Sequence, residues 1–172
     1  METSTIEPVN TGVDSNVRGE EEQLVVFELS HEDYGVDISA VREIIRMQAI
    51  TRVPRTPRFV EGLINLRGRV IPVVDPRKRF DLSAEHDEKN NRIVVMNISN
   101  QDIGLVVDGV TEVLLISNDC IEPPSSIITS VESEYLLGIA KLYSRLIILL
   151  DLEKVLSEGE RGELFGGMEM LE

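Results

Sequence analysis

The chain repeats itself. At an offset of 69, Val25-Val26 falls on Val94-Val95, Ser30 on Ser99, Asp33 on Asp102, Gly35 on Gly104, Val41 on Val110, Glu43 on Glu112 and Pro54 on Pro123. After seven extra residues the offset becomes 76, and Gly62 falls on Gly138, Leu66 on Leu142, Arg69 on Arg145, Ile71 on Ile147, Asp75 on Asp151 and Lys78 on Lys154. Phe59 meets Tyr135 in the same series. An ordered run of matches with one clean insertion implies two copies of one unit, near 23–90 and 91–156.

Each copy reads as short strands. Residues 23–29 (QLVVFEL) form a strand, 30–33 a turn, and 34–37 pair back as a hairpin. Ser39 is placed as the cap of a short helix over 40–45, with Arg42 and Glu43 on its wet side. Residues 50–53 are extended, and Pro54 and Pro57 break the chain. The stretch 59–75, FVEGLINLRGRVIPVVD, is a hairpin: two extended runs joined by Arg67-Gly68, where Gly68 supplies a positive φ. Pro72 cannot donate to a ladder, so its strand needs an edge-like position. Pro76 opens a short helix, and Asp151 caps another over 151–156. Strands of this length with turns between them suit a small closed barrel, which removes exposed edges. The run 146–150 (LIILL) is apolar at every position, so one face should meet its own barrel and the other the neighbouring lobe. Outside the repeat, 1–22 reads as a disordered tail and 157–172 as a mobile one.

Composition narrows the function classes. The single cysteine, Cys120, excludes an internal disulfide framework and fits a reducing cytosol. No window approaches a membrane span, and the first residues lack the basic start and apolar core of a signal peptide. The net charge of −14 argues against nucleic acid as a partner. The charge is uneven, however. Between Arg42 and Arg79 ten Lys/Arg stand against three acids, while the remaining seven bases stand against 28 acids. That basic segment is either solvated barrel surface or a surface that steers an acidic protein partner. His31 and His86 have no second ligand at metal spacing, and neither a phosphate loop nor a nucleophile elbow is present. No catalytic constellation, metal site or cofactor is expected, which leaves a binding surface.

The motif G-L-I-N-L-R-G-x-V-I-P-V-V-D at 62–75, with Thr56-Pro57 before it and RKRF at 77–80 after it, resembles the CheW family, the coupling adaptors of bacterial chemotaxis arrays. EDYGVDI at 32–38, VREI at 41–44, GLVVDGV at 104–110 and SEYLLGI at 133–139 extend the resemblance over roughly 23–156. Pro76 departs from the family's pattern, which has Leu there. The resemblance implies a mainly all-β fold: two SH3-like β-barrel lobes packed side by side, with short helices. It implies a non-enzymatic adaptor in the cytoplasm, recruited to membrane-associated receptor arrays without inserting into the membrane. Its partners would be the cytoplasmic tip of methyl-accepting chemoreceptors and the CheW-like regulatory domain of the histidine kinase CheA. A coupling protein of a pilus-motility pathway, or a CheV-type protein without its receiver, uses the same fold. A small β-barrel enzyme or nucleic-acid binder is the reading from a different class.

Two barrels side by side leave a groove between them. Val36, Ile38, Val41 and Ile45 from the first copy, with Val107 and Val110 from the second, either line that groove or pack the core. The resemblance carries a receptor-binding role onto Val41, Glu43, Gly62, Arg67 and Val110. Arg67 on its own is a solvated turn residue or a charge-assisted donor to a partner carboxylate, and Gly62 is a place where backbone can approach closely.

Overall fold

The computed structural model describes residues 21–83, 89–124 and 133–155. It is all-β apart from two four-residue helices and three short 3-10 turns among those residues. The strands of the first copy are β1 (Glu21–Leu29), β2 (Glu32–Asp37), β3 (Val41–Arg46), β4 (Val60–Leu66) and β5 (Arg69–Val74), closed by helix α1 (Pro76–Arg79). Those of the second are β6 (Arg92–Ile98), β7 (Gln101–Val107), β8 (Gly109–Ser117), β9 (Ile121–Glu122), β10 (Leu136–Leu142) and β11 (Arg145–Leu150), closed by helix α2 (Leu152–Val155). The expected tails fall outside the described residues, except that Glu21 and Glu22 already pair in β1.

The repeat is visible in the backbone. The β1–β2 turn puts Ser30 and His31 at φ 50° and 71°, and the β6–β7 turn puts Ser99 and Asn100 at 52° and 67°. Asp75 N donates to Phe59 O at 2.7 Å, and Asp151 N donates to Tyr135 O at 2.9 Å. Asp75 and Asp151 then cap α1 and α2, accepting from Arg77 N at 2.9 Å and Glu153 N at 3.1 Å. A register shift between Val60 and Gly62 recurs between Leu136 and Gly138.

The two copies do not close separately. One sheet runs β8-β1-β2-β11-β10-β9 and the other β3-β6-β7-β5-β4. Each copy thus lends its first hairpin to the other copy's strands. The lobes expected at 23–90 and 91–156 are sequence units, while each spatial lobe draws on both. Each lent hairpin is joined on both sides, by an antiparallel ladder (β1 on β8, β6 on β3) and by a short parallel one, Leu149 on Gly35 and Val73 on Gly104. Pro72 sits one residue before the second parallel ladder, so its missing donor leaves that pairing intact.

The strand alternation sorts the core into three. Leu24, Val26, Ile147 and Leu149 fill one lobe, and Ile64, Ile71, Val73 and Ile93 fill the other. The intervening positions, Val25, Phe27, Ile148 and Leu150 from one sheet with Val74, Val94, Met96 and Leu105 from the other, form a larger cluster between the lobes. The expected two-sided burial of 146–150 holds from Ile147 to Leu150, while Leu146 is 55% exposed.

The helix expected over 40–45 is instead strand β3. It follows a 3-10 turn, Ile38–Ala40, whose cap is Asp37, accepting from Ser39 N at 2.8 Å. The cause is a bulge: Val41 faces Met96 and Glu43 faces Val95, leaving Arg42 unpaired between them. One extra residue gives Val41, Ile44 and Ile45 the three-then-one spacing of a helix on a strand backbone.

Candidate functional site

Strands β3 and β8 are the outer edges of their sheets. Both carry the same bulge, β8 between Val110 opposite Phe27 and Glu112 opposite Val26. Phe27 and Met96 belong to the inter-lobe cluster, so Val41 and Val110 pack on its rim from opposite lobes. Ile38 packs there as well, half-buried. All three are half-buried against that one cluster. Val36 and Val107 are not available to a partner: at 2% and 0% exposure they are interior members of the cluster. Ile45 turns the other way, onto the core of the β3–β6–β7–β5–β4 lobe. Beyond the rim, Ile44 at 41% and Val113 at 51% exposure continue the apolar stripe along each edge strand. They match at the offset of 69, three residues past Val41 and Val110, and the helical reading of 40–45 hid that signal.

Arg67 and Glu43 form an ion pair across the face of one lobe. Arg67 occupies the first turn position of the β4–β5 hairpin at φ 53° and Gly68 the second at 86°, as a two-residue hairpin loop needs. Asn65 Oδ1 accepts from Gly68 N at 2.8 Å and fixes the turn. The hydrogen bond to Glu43 raises the Arg67 pKa above its ordinary value, so the guanidinium stays charged. With 65% of the side chain exposed, part of its donor fork faces solvent.

The second copy shows what the fold itself requires there. Position 143, which matches Arg67, is a tyrosine fully exposed on its turn. Arg145, matching Arg69, takes both carboxylates, Glu112 Oε2 at 2.5 Å and Asp33 Oδ2 at 3.1 Å. In the first copy Arg69 meets Asp102, with Arg42 at 3.6 Å from the same carboxylate, and Glu43 is left to Arg67. One arginine on that hairpin suffices for the second copy, so Arg67 is additional to the needs of the architecture.

Gly62 lies apart from this pair. At φ 143° its hydrogen occupies the place where a Cβ would lie 2.1 Å from Thr51 O. That approach lets Thr51 and Leu63 exchange backbone hydrogen bonds of 2.8 and 2.7 Å, which dock the 51–58 loop on β4. Its role is to hold backbone to backbone. Gly62→Ala is expected to destabilise the fold by more than about 2 kcal/mol, combining a strained φ with a backbone clash. Chemical denaturation checks this, and a loss below about 0.5 kcal/mol, the scale of an inert surface change, would mean the loop simply moves away.

No group of three metal-ligating side chains occurs among the described residues. Residues 23–160 match the family model described as CheW-like domain. The chemotaxis protein CheW of Klebsiella aerogenes is 37% identical over 139 residues, covering 81% of this chain and 84% of that protein. The chemotaxis protein CheW of Treponema pallidum is 34% identical over 152 residues, covering 86% and 89%. Among solved structures, the crystal structure of the scaffolding protein TtCheW from Thermoanaerobacter tengcongensis superposes with a TM-score of 0.76 at 39% identity, covering 83% of this chain and 92% of that one.

Proposed function

The chain belongs to the CheW-like domain family, and from that premise we propose that it is the non-enzymatic adaptor coupling methyl-accepting chemoreceptors to the histidine kinase CheA. The family is one of chemotaxis adaptor and scaffold proteins. The receptor's cytoplasmic tip docks over the rim made by Ile38, Val41 and Val110, where apolar side chains are half-covered and ready to lose the rest of their water. Glu43 and Arg67 stand beside it as a charged pair that sets orientation. Val36 and Val107 support the rim from beneath, and Gly62 holds the neighbouring loop in place. CheA engages through its own CheW-like domain. The protein works in the cytoplasm and reaches the membrane-associated array through these contacts. Among the described residues no helix is long and apolar enough to cross a membrane.

The observation that carries this reading is the extra arginine. The second copy satisfies the matching carboxylates without an arginine at position 143, so Arg67, paired with Glu43 and still 65% exposed, can present its remaining donors to a partner. Arg67→Ala is therefore expected to melt near the unaltered chain yet bind a receptor cytoplasmic fragment about tenfold more weakly, the scale of one lost charge-assisted contact. Lys should restore little, because an ammonium lacks the planar fork. Early unfolding of Arg67→Ala would make the residue structural. Unchanged binding and unchanged kinase control would make it a solvated turn residue and sink the assignment.

A further inference from the structure

The basic segment between Arg42 and Arg79 is only partly absorbed by the fold. Arg42, Arg67, Arg69 and Arg77 all meet carboxylates. Arg79 donates to Val155 O at 2.9 Å and lies over the Phe59 and Tyr135 rings. Lys78 holds Glu61 at 2.6 Å. Arg52, Arg55 and Arg58 are exposed and meet no acceptor among the described residues. Arg46, the other arginine of the segment in that condition, lies on the β3 edge outside their cleft.

These three arginines line one cleft of about 420 Å³ with Pro54, Thr56, Pro57 and Lys78. The loop that carries them is held in shape. Thr56 Oγ1 donates to Val53 O at 3.0 Å, Val60 N to Pro57 O at 3.0 Å, and the Thr51–Leu63 bridge ties its start to β4. Two prolines restrict the rest. A loop fixed before binding loses little entropy on docking. The charge is also not demanded by the repeat, since the matching stretch 122–135 carries no Lys or Arg.

We propose that this cleft is a docking site for an acidic peptide segment of a protein partner, distinct from the rim beside Arg67. Three guanidinium forks, one at every third position of the loop, offer paired hydrogen bonds to the carboxylates of such a segment. An anionic membrane would be the other source of negative charge. It is disfavoured because outside residues 42–79 the chain has 28 acids against seven bases, which an extended anionic surface would repel. A narrow strand of peptide touches only the basic part.

The test uses the full chain, with no receptor or kinase, so its failure leaves the adaptor reading untouched. Unlabelled hexaglutamate is titrated into the isotope-labelled protein and amide shifts are followed by NMR. The expected shifts centre on residues 52–60 and shrink as salt rises to about 0.15 M. The triple variant Arg52→Gln, Arg55→Gln, Arg58→Gln is expected to lose at least about tenfold in affinity. A control with the same charge change elsewhere, Arg46→Gln, Lys141→Gln, Lys154→Gln, is expected to stay within about twofold. Equal losses in both variants would reduce the effect to net charge and overturn the proposal. So would shifts centred on Arg67, an absence of shifts, or phosphatidylserine vesicles that bind the protein through the same three arginines. Because the map is made on the unaltered sequence, it decides the matter even if the variant folds poorly.

Discussion

Arg77→Met is expected to destabilise the protein by about 3–5 kcal/mol, the range for breaking a buried ion pair from one side. Arg77 is only 6% exposed. Its Nε and Nη2 donate to the two oxygens of Asp75, both at 2.9 Å, and its Nη1 donates to Asp108 Oδ1 at 2.5 Å. Asp108 Oδ2 in turn accepts from Ser30 N at 2.7 Å, at the tip of the hairpin lent to the other lobe. The network therefore joins α1, the β7–β8 junction and the β1–β2 turn. Removing the guanidinium leaves the buried Asp75 and the part-buried Asp108 without the cation they share. The hydrogen bond to Asp75 raises the Arg77 pKa above the ordinary arginine value. A raised cationic pKa adds stability that is complete below the unfolded value and fades only as pH rises through the folded one. The loss on substitution is thus expected to be the same across neutral pH. Urea unfolding with an unchanged slope measures it. Replacing all three as Asp75→Asn, Arg77→Met and Asp108→Asn should recover much of the deficit, because no uncompensated charge remains. A deficit under about 1 kcal/mol for Arg77→Met alone, an exposed-pair value, would mean water reaches the carboxylates.

From the sequence Arg77 belongs to the basic segment between Arg42 and Arg79, read as solvated barrel surface or a surface that steers an acidic partner. Pro-Arg-Lys-Arg has no apolar period, and one of its two acids lies 31 positions away. Long-range pairing of this kind leaves no local trace. The same holds for Arg67, whose turn position was legible from Gly68 but whose partner Glu43 lies 24 residues back on another strand. What was legible was backbone geometry. Gly62 and Gly138 mark matching close approaches to Thr51 O and Glu122 O. Asp75 and Asp151 mark matching caps, and the hairpin turns mark matching loops. Each residue type is demanded by a local conformation, so the repeat could be aligned residue by residue.

The assignment of strands to lobes was not legible. A copy that closes on itself and a pair that exchange first hairpins have the same local patterns, turns and alternation. The difference lies in which β3-like edge the β1-like strand meets, and the two edges carry the same bulge and similar side chains. The same exchange explains why, of the two readings open for Val36 and Val107, the structure shows core packing. β2 and β7 each lie between neighbours in the interior of a sheet. Their outward faces meet the opposite lobe instead of a groove, and both valines are swallowed by the shared cluster.

That reciprocal exchange makes a second large effect expected at Leu149. Leu149→Ala should cost about 2–5 kcal/mol, the range for truncating a buried leucine. The side chain is 4% exposed and fills one lobe with Leu24, Val26, Ile116 and Ile147. Its neighbours Ile148 and Leu150 point the opposite way, into the inter-lobe cluster. Its backbone pairs with Gly35, so β11 holds one side of the lent hairpin, as β8 holds the other. Leu146→Ala in the same strand should change stability by less than about 0.5 kcal/mol, because that side chain is mostly in water. The exchange predicts more than the magnitude. A lobe built from both copies cannot open without withdrawing a hairpin that also packs on the other lobe. In native-state hydrogen exchange on Leu149→Ala, amides of β1, β6 and β11 should therefore lose protection together, with one opening free energy. If the amides of β6, β7 and β5 keep their protection while those of β1, β2 and β11 lose theirs, the lobes are independent, and the shared cluster does not bind them into one cooperative unit.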